Sequence, residues 1–537
     1  MNKLFVQLVQ KRHLGDSFLH PKYEDSIDPF TLPDIEKAVK RIATAIKNQE
    51  KILIYGDYDV DGVTASTVME NTLKLAGAKK IDIMLPDRFV DGYGMSSRLI
   101  TRAKDSNTDL IITVDCGSRN HEIISELNIL KIDTIVTDHH ECGDTLPEAI
   151  AVINPKRKDY EAPDDLKDLA GVGVAFKLAQ GLVKKGLIPS GQEKWLLDLV
   201  LIGTICDNMT LTGENRILGY YGTKVLEKTR RPGLKELMRI AGVKKITSES
   251  IGFQIGPRLN AAGRLDTADL SLKLLCTDSG TEAATIAAKL EDLNKKRRTE
   301  QRAATKEISD RGAKDTPVII ETGNWHEGIL GIVAGRLVEE YHKPAFVLTE
   351  LEGNIFKGSG RSFGDFNLAG AINQVKDIII SGGGHAGAAG VSVSREHLYA
   401  FRERINEYYL SLHLTDQEKY LKSQADITTS DLKDLSLDLI EDLKQLEPFG
   451  AGNEEPIFRI SGAQILETKR MGGDGQHLRV DIRGQDGGII KCVAFFAPEE
   501  WFQLDIDSEY EFLIKLVENE WNGVRSAEAR LIDINML

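Results

Sequence analysis

The sequence predicts an α/β protein in three parts: a parallel-sheet domain, a smaller α/β domain reached through a long helix, and a C-terminal β-barrel or sandwich. Three observations carry this. From Lys51 onward, short β-branched runs alternate with helical patterns. A polar, glycine-poor stretch at about Glu291–Lys314 then has the look of a connecting helix. After about Ser423 the apolar residues recur with period two.

Each element follows from its own residues. KILIYGD is a strand, DGVTASTVMENTLKLAGA the helix after it, and IDIMLPD the next strand. LIITVDCG and DTIVTDHH are further strands, each preceded by a helix-like segment. Such βαβ rhythm builds a parallel sheet covered on both faces. A helical stretch runs from about Gly173 to Lys228. The second unit is TPVIIETGNW, HEGILGIVAGRLVEEY and KPAFVLTE, ending near Leu412. IFRISGAQILETK, HLRVDIRG, GIIKCVAFF and YEFLIKLVE are the spaced strands of a small antiparallel barrel or sandwich. The expected divisions are 1–50, an N-terminal extension; 51–228, the first domain; 229–314, a helical connector; 315–412, the second domain; and 423–537, the barrel.

Composition excludes several classes. The 537 residues suffice for about three or four domains. No apolar run approaches the ~18–20 residues of a membrane span. The start, MNKLFVQLVQKRHLGDSF, has no apolar run followed by a cleavage site, so a cytoplasmic location is expected. The five cysteines are scattered without a C-x-x-C pair, as in a chain of reduced thiols. A net charge of −14 argues at first sight against nucleic acid. However, acidic residues are concentrated in motifs where bound cations would invert the local field. Leu293–Lys314 is locally basic, either as a solvated linking helix or as part of a binding surface.

The chemistry lies at the strand ends, where open α/β sheets place their sites. Asp57-Tyr-Asp59-Val-Asp61-Gly62 sets three carboxylates on a strand-to-helix turn, a pattern that converges on a hard divalent cation. An EF-hand starts alike, but its twelfth position here is Val68 and a strand precedes it. Asp115 closes one strand, Asp138-His139-His140 closes another, and Asp207 ends an apolar helical run. Apolar elements ending in carboxylates are costly without a counter-charge. Carboxylates plus imidazole without thiolate suit Mn²⁺ or Mg²⁺, with ligands enough for two ions. Two-metal sites characteristically catalyse attack of water on phosphorus. His140 is either a ligand or a general acid.

Three lesser features accompany this set. Gly382-Gly-Gly-His385-Ala-Gly-Ala-Ala-Gly390 lets backbone N–H groups approach an anion, with a histidine beside them. Gly358-Ser359-Gly360-Arg361-Ser362 is a glycine-spaced turn suited to a terminal phosphate, or an ordinary turn. Trp325-His326 opens a helix, where it either favours an anion, serves as a cap or packs in the core. Gly171-Val-Gly173 lacks a third glycine and a preceding strand, so it is read as helix packing rather than a dinucleotide fingerprint.

The motifs GDYDVDG, ITVDCG, VTDHH and CDNMT, in this order, resemble those of the DHH phosphoesterase superfamily, and GGGHAGAAG resembles its companion DHHA1 domain. DRFVDGYG, IGPRLNAAGRL, WHEGILGIVAGRL and EPFGAGNEEPIF are similar to stretches of the RecJ-like exonuclease branch, the last at the entry to an oligonucleotide-binding (OB) barrel. The resemblance implies 5′→3′ hydrolysis of single-stranded DNA to 5′-mononucleotides with Mn²⁺ or Mg²⁺, in repair and recombination. It implies Asp59, Asp61, Asp115, His139 and Asp207 as metal ligands, with Asp57 close by and His140 and His385 facing the scissile phosphate. Arg88, Ser359 and Arg361 match residues that hold the 5′-terminal phosphate, and Arg258 and Arg264 are further strand contacts. Expected partners are single-stranded DNA, a helicase and a single-strand-binding protein, with a monomeric chain and no membrane. Two positions depart from the pattern: Tyr55 stands where many DHH proteins have a metal-binding histidine, and the fourth motif is DNMTL rather than DVVPL.

Two other classes fit parts of this chain. A small-substrate DHH hydrolase needs the same ligands but no barrel, and a non-catalytic DNA-binding factor needs the barrel but not an intact carboxylate and histidine set.

Overall fold

A run of β-branched and aliphatic residues at Ile52–Tyr55 forms β1, the strand around which the first domain is built. The structure is a computed structural model that describes all residues except 93, 313–315, 415–423, 474, 507 and 537. Lys314, the expected end of the connector, and residue 423, the expected start of the barrel, lie outside the described residues. Strands β2 (Ile81–Met84), β3 (Leu110–Val114), β4 (Asp133–Thr137) and β5 (Ala151–Ile153) complete a wholly parallel sheet of order β2-β1-β3-β4-β5. Alternation decides which way β1 faces. Ile52 and Ile54 enter one hydrophobic core, while Leu53 and Tyr55 enter the core on the other face. The strand order reverses between β1 and β3, and at such a switch point the two crossovers part to leave a crevice.

The connector is the 31-residue helix Gly280–Asp310, which begins at Gly280 rather than near Glu291. Ser279 caps its first turn by accepting from the Glu282 N–H.

The second domain holds β6 (Ile319–Gly323), β7 (Ala345–Leu351), β8 (Ile355–Arg361), β9 (Ile379–Gly384) and β10 (Ala388–Ser394), ordered β6-β7-β8-β10-β9. Only β6 and β7 pair in parallel. Two expectations change here. Gly358–Ser362 is not a turn, because Gly358–Arg361 lies within β8 at the centre of the sheet. Its glycines are there for packing: a Cβ on Gly358 would meet Leu348 Cγ at 2.5 Å, and one on Gly360 the Phe346 ring at 2.5 Å. Ser359 and Arg361 therefore share the opposite face. Gly382–Gly390 is a β-hairpin of β9 and β10, with exposed His385 in its turn.

The last domain contains β11 (Ile427–Thr429), β12 (Phe458–Met471), β13 (His477–Arg483), β14 (Ile489–Ala494), β15 (Glu509–Trp521) and β16 (Val524–Met536). Strand β12 pairs with β13 through one half and with β15 through the other, which closes the barrel. Register shifts between Ile460 and Ala463, where Gly462 adopts φ +65°, and that bulge turns the corner. Part of the N-terminal extension belongs to this unit: Leu4, Phe5 and Leu8, on the helix Lys3–Lys11, are buried in the barrel core.

Candidate metal centre and phosphate cradle

Each strand end delivers one part of the site. Asp57 follows β1, Asp59 caps the helix Val60–Leu75 by accepting from the Gly62 N–H at 3.0 Å, and Asp61 lies in that helix's first turn. Asp115 follows β3 with φ +61°, a left-handed conformation rare for a non-glycine residue. His139 and His140 follow β4, and Asp207 caps the helix Leu197–Cys206.

These groups converge. His139 Nε2 lies 3.2 Å from Asp115 Oδ1, 3.5 Å from Asp207 Oδ2 and 3.7 Å from Asp61 Oδ2. Candidate ligand atoms fall within 4.8 Å of one another in three sets: Asp61, His139 and Asp207; Asp57, Asp59 and Asp115; and Asp115, His139 and His140. Asp57 thus stands among the carboxylates on the same footing as Asp59. Tyr55 is buried, and its hydroxyl donates to the Gly94 carbonyl at 3.0 Å.

The electrostatics are those of a site that favours positive charge. Burial, and then the neighbouring Asp59, pushes Asp57 up to about 8 and Asp207 up to about 7. Burial and the surrounding carboxylates raise Asp61 and Asp115 well above the usual range. Burial, with the charge of His140, lowers His139 to about 3, so its ring is neutral and suited to ligation. Asp115 Oδ1, Asp207 Oδ2 and His139 Nε2 are buried without a hydrogen-bond partner. Such orphaned atoms are rare unless a ligand satisfies them, and this all-oxygen and imidazole set fits Mn²⁺ or Mg²⁺.

Supporting groups fix the geometry. Asp138, buried, accepts from the backbone N–H groups of His139, His140 and Ser118, and its Oδ1 lies 2.9 Å from His140 Nδ1. Burial works against its charge, yet the His140 hydrogen bond and those backbone donors hold Asp138 at about 2. Burial pulls His140 down, and the Asp138 hydrogen bond outweighs it, so the His140 pKa is raised. Asp61 accepts from the Gly171 N–H at 2.6 Å and the Val172 N–H at 2.9 Å, at the start of the helix Gly171–Lys184. A side chain at Gly171 would meet Asp115 Cβ at 2.5 Å, and one at Gly203 would meet Asp61 Oδ1 at 2.9 Å.

A cluster of guanidinium groups stands against the carboxylates. Burial lowers Arg264 to about 9, helped by the charges of Arg88, Arg297 and Arg361, while Asp59 opposes the shift. Burial and Arg88 lower Arg361 too. Arg361 Nη1 donates to Ser359 Oγ at 3.1 Å and to the Gly360 carbonyl at 2.8 Å. Above it the helix Leu330–Tyr341 presents Gly331, whose Cβ would come within 2.8 Å of Arg361 Nη2. Arg88 lies 5.1 Å from the Tyr58 ring, and Phe89 packs edge-on against His326 across the two domains. His326 Nδ1 accepts from the Gly328 N–H at 3.1 Å, so this residue is a cap.

Two sequence-predicted residues, His385 and Arg258, stand apart. His385 makes no hydrogen bond or ion pair to the carboxylate cluster among the described residues; its Nδ1 accepts from the Gly387 N–H. Arg258 is tied to Glu291 at 2.6 Å and to the Gln254 carbonyl at 2.7 Å, although it lines a cavity of about 1010 Å³ with Arg297, Arg298, Arg302 and Arg361. The basic face of the connecting helix is thus the wall of that cavity. Arg264 donates to the Gly328 carbonyl at 3.2 Å.

Comparison with known proteins matches this arrangement. Residues 51–204 fit the DHH family N-terminal domain, 315–410 the DHHA1 domain and 428–533 the RecJ OB domain. The single-stranded-DNA-specific exonuclease RecJ of Escherichia coli (strain K12) is 32% identical over 93% of this chain and 89% of its own length. The chain belongs to the RecJ family. Its relative of the same name in Bacillus subtilis (strain 168) is 36% identical over 96% of this chain, which spans 65% of that relative's length. A crystal structure of RecJ from Thermus thermophilus in complex with Mn²⁺ superposes with a TM-score of 0.87, at 28% identity, over 100% of this chain and 76% of that one.

Sequence reasoning placed Asp138 in the strand-end cluster of this RecJ-family site without giving it a role, and Arg297 in a locally basic segment without placing it at the site. Gly171, Gly203 and Gly331 carry no signal of their own as supporting groups, because only the packing of distant helices brings them to the ligands.

Proposed function

We infer that the chain is a single-stranded-DNA-specific 5′→3′ exonuclease that releases 5′-mononucleotides by metal-dependent phosphodiester hydrolysis. The observation that carries this is that arginines gather at the turn bearing Asp57 and Asp59: Arg88 lies 5.1 Å from the Tyr58 ring, and the helix that carries Arg264 packs so closely on that turn that a Cβ on Gly263 would come within 2.8 Å of the Tyr58 carbonyl oxygen. A terminal phosphate held by guanidinium groups beside a hydrolytic centre makes the enzyme measure from a strand end.

Asp59, Asp61, Asp115, His139 and Asp207 hold the metal, with Asp57 beside Asp59 and Asp115. When bound, the divalent ions supply an acidified water and positive charge at the phosphate. Asp138 orients His140 and favours its protonated form, the form from which His140 donates to the phosphate or to the leaving oxygen. Arg361, braced by Ser359 and the Gly360 carbonyl, offers the rest of its fork to the 5′-phosphate. Arg88 and Arg264 add charge, and His385, at an exposed hairpin tip of the second domain, is assigned to the scissile phosphate from that side.

The strand behind the scissile bond passes a cavity of about 760 Å³ that joins Arg264 and Arg297 to Lys515 and Arg530 on the barrel, where Glu455 and Glu249 pair with the last two. On the barrel's outer face, Lys515 pairs across strands with Arg530, Arg530 with Val493, Val493 with Arg479, and Arg479 with Lys469. In the next row Phe495 packs against His477 at 5.3 Å, so exposed rings flank the charges. Phosphates on a basic row with bases on rings is how single strands are bound without sequence preference. A duplex must first be opened, so a helicase and a single-strand-binding protein are the partners this activity calls for, around a monomer in the cytoplasm. Among the described residues no helix is long and apolar enough to cross a membrane.

The test is hydrolysis of a 5′-phosphorylated single strand, labelled separately at each end, with Mn²⁺. Release of the 5′ label first, as mononucleotide, with duplex spared, is the expected result. Hydrolysis of dinucleotides alone would sink the exonuclease assignment.

A further inference from the structure

The metal ligand Asp207 lies four residues from a direct contact between the first domain and the barrel. The helix Leu197–Cys206 ends at Asp207. Asn208 then takes φ +57°, and the Met209 N–H donates to the Thr204 carbonyl at 3.1 Å, a left-handed cap that fixes where the chain leaves. Thr210 Oγ1 donates to Asp168 at 2.7 Å. The Leu211 N–H donates to the Ala451 carbonyl of the barrel's entry loop at 2.8 Å, and the Leu211 side chain is buried. The loop has no room to spare: a Cβ on Gly450 would meet Leu211 Cδ1 at 2.7 Å.

Arg216 locks the same junction. It is buried and has no carboxylate within ion-pair distance among the described residues. Its guanidinium donates only to main-chain carbonyls: Leu446 at 2.9 Å, Glu447 at 2.6 Å, Gln445 at 2.9 Å and, from Nε, Phe18 at 3.1 Å. Three of these carbonyls end the helical segment of the barrel domain that runs into the Glu447–Phe458 motif, where a cation is favourable. Asn453, also buried, donates to the Leu446 and Pro448 carbonyls at 2.8 and 2.9 Å and holds that loop from the other side. A buried cation without a counter-charge is costly. Here it joins two domains and the N-terminal segment at one point.

We propose that Arg216 and Leu211 form a clasp that makes the barrel part of the metal centre, by fixing the segment from Asn208 to Thr212 and through it the Asp207 carboxylate. Arg216 is in this sense a positioning residue. The cavity of about 760 Å³ beside the clasp is lined by Cys206, Asn208, Met209 and Leu211 on one side and by Phe449, Gly450, Ala451, Lys515 and Arg530 on the other. A strand lying there touches both halves of the clasp, so occupancy of the barrel and occupancy of the metal site are linked. This rests on the assignment of Asp207 as a ligand made above.

The test is calorimetric titration of the full chain with Mn²⁺, free of substrate, alongside thermal melting. Arg216→Ala, Arg216→Lys and Gly450→Ala are compared with the parent and with Asp207→Asn. Displaced supporting groups around metal ligands typically cost about 10- to 100-fold in affinity. The expected result is Mn²⁺ binding weakened about tenfold in Arg216→Ala and Gly450→Ala, with Arg216→Lys between them and the parent. Folded Arg216 and Gly450 variants with parental Mn²⁺ affinity would overturn the clasp. Should Arg216→Ala fail to fold, Arg216→Lys and Gly450→Ala decide the matter in the same way. Unchanged Mn²⁺ binding in Asp207→Asn would instead refute the ligand assignment, whatever the clasp variants do.

Discussion

Replacing Gly171 by alanine tests whether the metal centre depends on the close approach of a helix to Asp115. Alanine for glycine within a helix ordinarily stabilises by about 0.5–1 kcal/mol. Here the new methyl would lie 2.5 Å from Asp115 Cβ, 2.6 Å from its Oδ1 and 2.8 Å from its Cα, roughly 1 Å short of ordinary contact. Rotation of the Asp115 side chain cannot relieve this, because its Cα and Cβ are themselves among the atoms met. Either the carboxylate moves or the helix start retreats, and retreat lengthens the hydrogen bonds from Gly171 and Val172 to Asp61. Overpacking of this kind costs about 1–3 kcal/mol, which reverses the sign expected from helix propensity. A ligand displaced by about 1 Å lowers turnover by about a hundredfold. The assay is Mn²⁺-supported hydrolysis of 5′-phosphorylated single strands together with the melting temperature. Gly280→Ala, at the start of the helix Gly280–Asp310, is the control, since its methyl would meet nothing within 4 Å. Parental turnover in Gly171→Ala would refute the idea that this packing sets the Asp115 position.

Asp115→Ala and His139→Ala are each expected to abolish hydrolysis while leaving single-strand binding by anisotropy within about threefold; near-parental turnover in either would remove that residue from the metal set. Arg361→Ala is expected to equalise rates on 5′-phosphorylated and 5′-hydroxyl strands, and Arg361→Lys to restore little, because Nη1 alone bonds Ser359 and the Gly360 carbonyl and a lysine has no second nitrogen left for the phosphate. In the metal-free protein Asp57 and Asp207 retain protons up to about 8 and about 7, above their unfolded range. Stability held by those protons is present at low pH and lost as pH rises through 7 to 8. Mn²⁺ replaces them, so its stabilisation is expected to grow from pH 6.5 to 8.5, by about 1.4 kcal/mol per pH unit for each displaced proton. Melting curves with and without Mn²⁺ check this, and an equal increment at both pH values would contradict it.

Much of this protein was legible from its residues because the relevant signals are local. Period-two and βαβ patterns identified four of the five strands of the first sheet and most barrel strands, and in parallel sheets the strand ends must carry the site, which placed Asp57, Asp115, His139 and His140 without any contact being known. What the sequence could not reveal depends on residues far apart in the chain. Gly358–Arg361 has the composition of a turn, yet it is strand because Leu348 and Phe346 leave no space for side chains there. The N-terminal helix joins a barrel more than four hundred positions away through Leu4, Phe5 and Leu8. Gly171 and Arg216 are ordinary letters in their own segments, and only tertiary packing sets one against Asp115 and the other among the carbonyls of the barrel. Periodicity fixes which face an element buries, but the partner it meets is chosen by the whole chain's packing.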